Sequence, residues 1–335
     1  MRQIICIGSA CKDIFFPTGE GHIIETPKDI LSQKKIQFEL GAKYKIEDRH
    51  ETIGGCAANV AVGMSKLGVD ASCYSHLGND KNADWILEEL ELEGVRTDLI
   101  RKDEELPSDM SAIIVDKDSG ERIIFSNQKA NGKLTIVKEE IEDAEWYFIG
   151  DLHGNWEEDL EDVVETAVGK KIKIIFNPRQ SNIHDDAGEI LKAIPFSEIL
   201  ILNKDEAMEL ISKDNEGYTD QELTDEKFLL TKIKELGAVT VVITDGTNGA
   251  WAANDENKIW AGAMLTEAAD STGAGDAFTS GFSAAYIKGK DLSECLSWGI
   301  ANSSSSVKFF GGTEGLLKED EIMKMIDGVK TEEII

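Results

Sequence analysis

The chain has 335 residues, of which 41% are hydrophobic, and its 64 acidic residues outnumber its 35 basic residues to give a formal net charge of −29. This composition suits a soluble globular protein with one large core or two domains. A strongly acidic surface repels nucleic acids and anionic membranes, so we expect neither as a partner, whereas a small anionic ligand responds to the local charge of its own site.

The cysteines and the apolar runs indicate the compartment. Five cysteines form no CxxC pair, which favours a reducing cytosol without disulfides. The apolar run near residue 5 is shorter than a signal peptide requires, and no run reaches the 18 residues of a membrane span. We interpret the first run as a buried strand and expect a cytoplasmic protein.

Apolar runs taken in chain order predict a mostly parallel sheet. They lie at residues 4–8, 71–77, 146–150, 172–176, 199–202 and 239–244. Strands that alternate with helices, such as the amphipathic stretch 83–92, form open sheets that bind ligands beyond their carboxyl ends. Asp13, His153 and Arg179 each follow one of these strands. Each of the three either contacts a ligand or has a structural role.

Short pieces between these strands predict a second, smaller sheet. They interrupt the alternation of strands and helices at about residues 14–52 and 106–128. Their composition is strand-like, and the last two flank a turn that contains Gly120. The pieces lie at residues 22–25, 36–40, 44–46, 110–115 and 122–126.

Two glycine-containing segments begin helices, at residues 54–59 and 273–276. Glycine allows a tight turn and lets an anion approach the N–H groups of a helix N-terminus. Asn59, inside the first helix, either binds a ligand or satisfies neighbouring backbone groups. Asp276 is either a helix cap or a proton acceptor. A carboxylate beside a phosphate site is electrostatically unfavourable, which favours a functional role such as accepting a proton.

Two further strand ends carry candidate residues. Asn203 and Glu206 have the spacing of a reciprocal helix cap. Gly246 and Gly249 follow the strand that ends at Thr244, in a loop that suits nucleotide phosphates or ribose, or that forms an ordinary hairpin turn.

The stretch Asp270-Ser271-Thr272-Gly273-Ala274-Gly275-Asp276-Ala277-Phe278 resembles the C-terminal signature of the ribokinase-like carbohydrate kinases, the PfkB family. The other candidate segments occur in the order that this family has. The resemblance therefore implies one ribokinase-like domain over residues 1–335. It implies an α/β fold with three α/β/α layers, a mostly parallel central sheet and a small β-sheet lid over the substrate.

The resemblance also implies roles for individual residues. Asp276 would remove the proton of a substrate hydroxyl, and the N–H groups of Gly273, Ala274, Gly275 and Asp276 would form an anion hole for the γ-phosphoryl group of ATP. The resemblance implies contacts to the sugar for Asp13, Gly55, Asn59 and Asp276, and contacts to ATP for Asn203, Thr244, Gly246, Gly249 and Asn302. It also implies that Glu206 contacts the water shell of Mg²⁺ and that Asp270, Thr272 and residues 311–313 contact K⁺.

These implications together predict an ATP-dependent phosphotransferase acting on a hydroxyl of a sugar or a sugar-like molecule, with a homodimer formed through the lid. One alternative is a nucleoside kinase of the same fold, for which Phe15, Phe16 and Phe38 are available to line a base. The other is a catalytically silent, sugar-binding regulatory protein. The intact Asp276 counts against this second alternative.

Overall fold

The computed structural model describes residues 2–25, 34–46, 48–117, 122–214 and 217–334. The strands within these residues are β1 (Arg2–Ile7), β2 (Cys11–Thr18), β3 (His22–Glu25), β4 (Lys34–Gln37), β5 (His50–Gly54), β6 (Ala71–Tyr74), β7 (His76–Gly78), β8 (Arg101–Asp103), β9 (Met110–Asp116), β10 (Arg122–Asn127), β11 (Ala144–Ile149), β12 (Lys173–Phe176), β13 (Ser197–Asn203), β14 (Thr240–Thr244), β15 (Ala250–Ala253), β16 (Lys258–Ala261) and β17 (Thr331–Glu333). The α-helices are α1 (Cys56–Lys66), α2 (Lys81–Leu92), α3 (Lys138–Ile141), α4 (Trp156–Lys170), α5 (Gln180–Ala193), α6 (Lys204–Asp214), α7 (Asp220–Leu223), α8 (Glu226–Glu235), α9 (Ala274–Ile287), α10 (Leu292–Ser306) and α11 (Glu319–Met325).

The central sheet has nine strands in the order β17-β16-β15-β14-β13-β12-β11-β1-β6. The strands from β14 to β6 are parallel, and β15, β16 and β17 extend the sheet as antiparallel strands. Successive side chains of a strand point to opposite faces. Along β1, Ile4 and Cys6 therefore join one buried cluster, and Ile5 and Ile7 join the other.

Helices cover both faces of this sheet. The first cluster packs α1, α9 and α10 against one face, and the second packs α4, α5, α6 and α8 against the other. Burial of the apolar stripes of these helices and of both sheet faces supplies the core that holds the layers together. The predicted three-layer α/β/α arrangement with a mostly parallel sheet is confirmed.

A separate four-stranded sheet has the order β10-β9-β2-β5. Its strands β9 and β10, and the pair β3-β4, match four of the predicted short strands, whereas β2 and β5 were not predicted as strands. Parts of the expected lid segments, residues 26–33, 47 and 118–121, lie outside the described residues. Among the described residues, no helix combines the length and apolar character needed to cross a bilayer.

The strand predicted at residues 44–46 is wrong. Residues 44–46 join no strand. The Tyr44 ring packs edge-on against Phe38 at 5.3 Å, and its hydroxyl accepts a hydrogen bond from the Glu39 N–H at 2.8 Å. Local contacts within this turn thus replace the ladder hydrogen bonds of a strand.

Candidate active site

A cavity of about 450 Å³ lies between the carboxyl ends of the central strands and the four-stranded sheet. The central sheet contributes residues at or just after the ends of β11, β12, β13 and β14, and the helices α1 and α9 contribute their N-terminal turns. Its lining residues include Ser9, Cys11, Asp13, Gly55, Cys56, Asn59, Asp109, Ser111, Asp151, Arg179, Asn203, Glu206, Thr244, Thr272, Gly273, Gly275 and Asp276.

Asp276 lies in the first turn of α9 and faces this cavity. The Asn59 side-chain amide, from the interior of α1, donates a hydrogen bond to Asp276 Oδ2 at 2.7 Å across 217 residues of sequence. Burial raises the pKa of Asp276 to about 6, although hydrogen bonds from Asn59 and Cys56 act to lower it. A carboxylate with a pKa near the working pH suits proton transfer.

The N-terminus of α9 faces the same cavity. Its cap residue Gly273 has a φ of 75°, in the left-handed region that favours glycine. Gly273 and Gly275 line the cavity, so the partial positive charge of the helix end is available to an anion. The N–H of Ala274 donates to the Ser271 carbonyl at 3.3 Å, and this group of the expected anion hole is therefore committed to the turn.

Gly312 packs between α1 and the N-terminus of α9. A Cβ atom at Gly312 would lie 2.3 Å from Asn59 Nδ2, and one at Gly273 would lie 2.3 Å from the Gly312 Cα. Gly312 is therefore packed between the residue that orients Asp276 and the cap of α9. Residues 311–313 were predicted only to contact a cation, and this packing role was missed.

Asp13 lines the same cavity. It lies within β2, not in a loop after β1, and is buried. Burial raises its pKa, despite hydrogen bonds from Ser111 and Cys11 that act to lower it. Gly54 on β5 leaves room for this carboxylate, since a Cβ there would lie 2.1 Å from Asp13 Oδ2. Gly55, with a φ of 93°, caps α1, and a Cβ on it would lie 2.5 Å from the Ser9 carbonyl oxygen.

We expect Gly54→Ala to weaken substrate binding, because the added methyl displaces the Asp13 carboxylate from its place. Loss of a hydrogen bond to a charged group costs about 1.5–3 kcal/mol, so the KM of the acceptor substrate rises roughly 10–100-fold while the KM of ATP changes little. Steady-state kinetics measure both constants. Gly19→Ala is the matched control, because a Cβ there would have no atom within 4 Å. An unchanged acceptor KM in Gly54→Ala would contradict this role.

A buried aspartate, Asp151, lies just after the end of β11 and pairs with the partly exposed Arg179. Asp151 accepts hydrogen bonds from the Ser9 N–H at 3.0 Å and from the Ser9 hydroxyl, and the Arg179 guanidinium and the His153 ring nitrogen both lie 3.4 Å from it. Burial opposes ionisation of Asp151, but the nearby His153 ring, the charge of Arg179 and the Ser9 hydrogen bond outweigh it and lower its pKa to about 2. His153 and Arg179 thus both partner Asp151, and Arg179 also lines the cavity.

Asn203 and Glu206 form the reciprocal helix cap that their spacing allows. The Glu206 N–H donates to Asn203 Oδ1, and the Asn203 N–H donates to Glu206 Oε2, both at 2.9 Å. Both residues also line the cavity, and burial raises the pKa of Glu206 to about 7. The Glu206 carboxyl group is therefore buried and only partly ionised near pH 7. Such a group fits Mg²⁺ or its water shell, because a cation beside it would favour the charged carboxylate.

Residues 245–249, between β14 and β15, form the turn of a hairpin. The Asp245 N–H donates to the Gly249 carbonyl at 2.9 Å, and β14 pairs antiparallel with β15. Gly249 has a φ of 95°, and a Cβ on it would lie 2.0 Å from the Ala261 carbonyl oxygen. Thr244 reaches the cavity, whereas Gly246 and Gly249 lie outside its walls.

Asn302 does not reach the cavity either. It is fully buried in α10. Its amide donates to the Ala277 carbonyl at 2.9 Å, and its Oδ1 accepts from the Leu317 N–H at 2.9 Å. These bonds use the side chain to join α10 to α9, so a contact to adenine would require breaking them.

Asp270 is buried and ties three segments together. Its Oδ1 accepts from the Thr272 N–H and hydroxyl at 3.0 and 2.8 Å, and its Oδ2 accepts from the Gly311 N–H at 3.1 Å. Arg122 Nε lies 3.9 Å from Oδ1. These three donors hold the carboxylate in place, and a K⁺ contact at this loop stays a prediction.

Comparison with known proteins agrees with this geometry. Structures of the ribokinase fold superpose on nearly the whole chain, among them a Methanocaldococcus jannaschii nucleoside kinase described as an archaeal member of the ribokinase family (TM-score 0.73, 25% identity, 98% of this chain and 99% of that one). Arabidopsis thaliana ribokinase complexed with ribose and ATP has a TM-score of 0.76 at 20% identity, over 97% and 98% of the two chains. The molecule is thus a ribokinase-fold protein.

The sequence assigns it to a family. The sequence model of the family described as "pfkB family carbohydrate kinase" matches residues 29–319. Bacillus subtilis ribokinase is 26% identical over 331 residues, which cover 97% of this chain and 100% of that protein. The chain belongs to the pfkB family of carbohydrate kinases, and it is a kinase of the sugar and nucleoside group.

The raised pKa of Asp276 predicts a pH-dependent effect on stability. A carboxyl group whose folded-state pKa lies above its unfolded value of 3.8 stabilises the fold at low pH, and this stabilisation is lost as the pH rises through about 6. Asp276→Asn cannot ionise. We therefore expect it to unfold at a higher temperature than the wild type at pH 8, by roughly 2–4 °C, and at the same temperature below pH 4. Calorimetry at both pH values, without ligands, tests this. A difference that is independent of pH would contradict it.

Proposed function

We propose that the chain transfers the γ-phosphate of ATP to a hydroxyl group of an unphosphorylated sugar, with Asp276 as the general base. The observation that carries this proposal is the placement of Asp276. Its carboxylate, with a pKa of about 6, lies at the glycine-containing N-terminus of α9 and lines the same cavity as Asp13. A proton acceptor, an anion site and a hydroxyl-binding carboxylate are thereby combined.

The proposed reaction assigns each group one task. Asp13 accepts hydrogen bonds from sugar hydroxyls, and Asn59 holds Asp276 so that its free oxygen meets the attacking hydroxyl. Asp276 takes the proton as the oxygen attacks phosphorus, and the N–H groups of Gly273 and Gly275 face the phosphoryl charge. The four-stranded sheet acts as a lid that excludes water, which would otherwise accept the phosphoryl group.

The nucleotide side of the cavity is assigned to Asn203 and Thr244, which lie at the ends of neighbouring strands and line it. Glu206 would hold Mg²⁺ through its water shell. When bound, Mg²⁺ supplies charge neutralisation of the phosphates. The low pKa of Asp151 keeps Arg179 paired with an anion, so this guanidinium is held in one position at the cavity wall.

The character of the cavity favours a sugar over a nucleoside. None of the described residues that line it is aromatic, and stacking of a base calls for aromatic side chains. Of the aromatics considered for a base, Phe15 is buried against Ile113, Val115 and Phe310, and Phe38 packs on Tyr44.

The charges of the cavity favour an acceptor without a phosphate group. Arg179 is the one cationic side chain among the described residues that line it, and it is paired with Asp151. The carboxylates of Asp13, Asp109 and Asp276 also line the cavity. A second phosphate on the acceptor would find these carboxylates near it and a cation already engaged.

The experiment is a measurement of ATP consumption with Mg²⁺ across neutral ketoses and aldoses, sugar acids, sugar phosphates and nucleosides, with and without K⁺. We expect the highest kcat/KM for a neutral sugar. A nucleoside or a sugar phosphate as the best acceptor would overturn the substrate assignment. Binding of ATP and sugars without turnover of any acceptor would favour the silent regulatory protein.

We also propose that two copies associate through the four-stranded sheet. Phe125 on its edge strand β10 is 60% exposed, and a large apolar side chain on an open edge strand is a liability unless it is covered. We expect a dimer by light scattering, and a monomer for Phe125→Glu. Val168→Glu on α4, a similarly exposed apolar residue, is the control. A monomeric wild type would contradict this association.

A further inference from the structure

One side chain of the four-stranded sheet reaches the loop before α9. Arg122 is the first residue of β10 and lies opposite Val115 of β9. Its Nη1 donates a hydrogen bond to the Ser271 hydroxyl at 2.7 Å, across 149 residues of sequence. This contact connects the sheet that carries Asp13 with the segment that leads into Gly273 and the N-terminus of α9.

The same guanidinium faces a buried charge. Arg122 Nε lies 3.9 Å from Asp270 Oδ1, and the side chain of Asp270 is 0% exposed. The Arg122 side chain is itself 28% exposed. An ion pair that is largely withdrawn from water is coupled more strongly than one on the surface, and removal of one partner leaves the other charge uncompensated.

The contact is incomplete in the present structure. Arg122 Nε is buried and has no hydrogen-bond partner among the described residues. An unsatisfied buried donor is costly. At 3.9 Å from Asp270 Oδ1 it needs an approach of about 1 Å to reach hydrogen-bonding distance. Movement of β10 toward the loop at residues 270–273 would satisfy it.

We propose that Arg122 is a positioning residue, which completes its bond to Asp270 when the four-stranded sheet closes and thereby fixes the loop at residues 270–273. Asp270 already holds Thr272 and Gly311, so this bond transmits the position of the sheet to Gly273 and to the Gly312 packing beside it. This role rests on the proposed phosphotransfer. Arg122 acts through Asp270 and Ser271 and does not line the cavity.

Kinetics of Arg122→Ala provide the first test. We expect kcat to fall about 10–100-fold, since a misplacement of about 1 Å at a reacting centre costs that much, with smaller changes in both KM values. Added guanidinium should restore part of the kcat. Arg49→Ala is the matched control. Arg49 lies just before β5 and also pairs with a carboxylate, that of Glu51 within β5, but the Arg49 side chain is 62% exposed. A kcat for Arg122→Ala within twofold of the wild type overturns the proposal.

Hydrogen exchange provides a test that needs no turnover. Arg122 already bonds to the Ser271 hydroxyl before the sheet closes, so in the ligand-free protein we expect peptides that cover residues 270–276 to exchange faster in Arg122→Ala than in the wild type or Arg49→Ala. Unchanged exchange in these peptides overturns the positioning role even if the wild type is an active kinase. Faster exchange in a protein without kinase activity supports the positioning role while rejecting the proposed function, so the two failures are distinguishable.

Discussion

Asp276→Asn is expected to lower kcat by about 10²–10⁴-fold, or roughly 3–5 kcal/mol of activation free energy. The substituted amide keeps the size of the side chain and still bonds to Asn59, but it cannot accept the hydroxyl proton. The KM values of ATP and acceptor should change far less than kcat. The bond of Asn59 to residue 276 is a ground-state contact that the variant keeps, so the substrates meet the same arrangement of side chains when they bind. Steady-state kinetics at pH 8, where the wild-type Asp276 is ionised, measure this loss.

A second buried aspartate gives the matched control for Asp276→Asn. Asp159 on α4 has a pKa that burial likewise raises to about 6, and its Oδ1 accepts from the Ile136 N–H at 2.8 Å. It does not line the cavity. We expect Asp159→Asn to keep a near wild-type kcat. Equal losses in the two variants would show that the effect of Asp276→Asn arises from a disturbed fold.

Gly312→Ala is expected to have the second largest effect, a fall in kcat of about 10²-fold. The added methyl would lie 2.3 Å from the Asn59 amide, a separation that forces Asn59 or the backbone of residues 311–313 to move. Asn59 then loses its 2.7 Å bond to Asp276, and the cap of α9 at Gly273 is displaced with it. Both the general base and the anion site are misplaced by one substitution.

Gly169→Ala controls for the loss of a glycine, because a Cβ on Gly169, in α4, would have no atom within 4 Å. This variant should be as active as the wild type and equally or more stable, since alanine restricts the unfolded chain. The two variants are compared by kcat and by thermal unfolding. A folded Gly312→Ala variant with wild-type kcat would contradict the packing role of Gly312.

The layered fold could be predicted because its signal is local. Buried parallel strands such as β1 and β14 are continuous apolar runs, and each is visible without knowing its neighbours. Strand β2 was missed because it begins only four residues after β1 ends, carries Lys12 and Asp13 and contains Pro17. Only its pairing with β5 and β9 makes this segment a strand.

The site could be predicted in part for the same reason. The motif at residues 270–278 and the Gly55–Asn59 segment are local, and the structure brings Asn59 and Asp276 together. Gly54 and Gly312 matter because Asp13 and Asn59 occupy the space that a Cβ atom would need. Sequence spacing does not show such contacts. The pair of adjacent glycines at 311–312 was the available signal for the second of these contacts.

Asn302 illustrates the limit of transferring a role by position. A single polar residue in an apolar helix has two explanations, and its hydrogen bonds to Ala277 and Leu317 support the structural one. The same limit applies to His153, whose position after β11 suggested a ligand contact, whereas the structure places its ring beside Asp151. The pairing of Asp151 with Ser9, His153 and Arg179 became apparent only when three strand ends were placed side by side.

Asp276 is the proposed general base that directs the γ-phosphate of ATP to a sugar hydroxyl. The most direct test follows the label of [γ-³²P]ATP in a single turnover with Mg²⁺ and the best neutral sugar, in the wild type and in Asp276→Asn. We expect label in a sugar phosphate with the wild type and almost none with the variant over the same time. Label that stays in ATP or appears only as inorganic phosphate with the wild type, or equal transfer by Asp276→Asn, would contradict the claim.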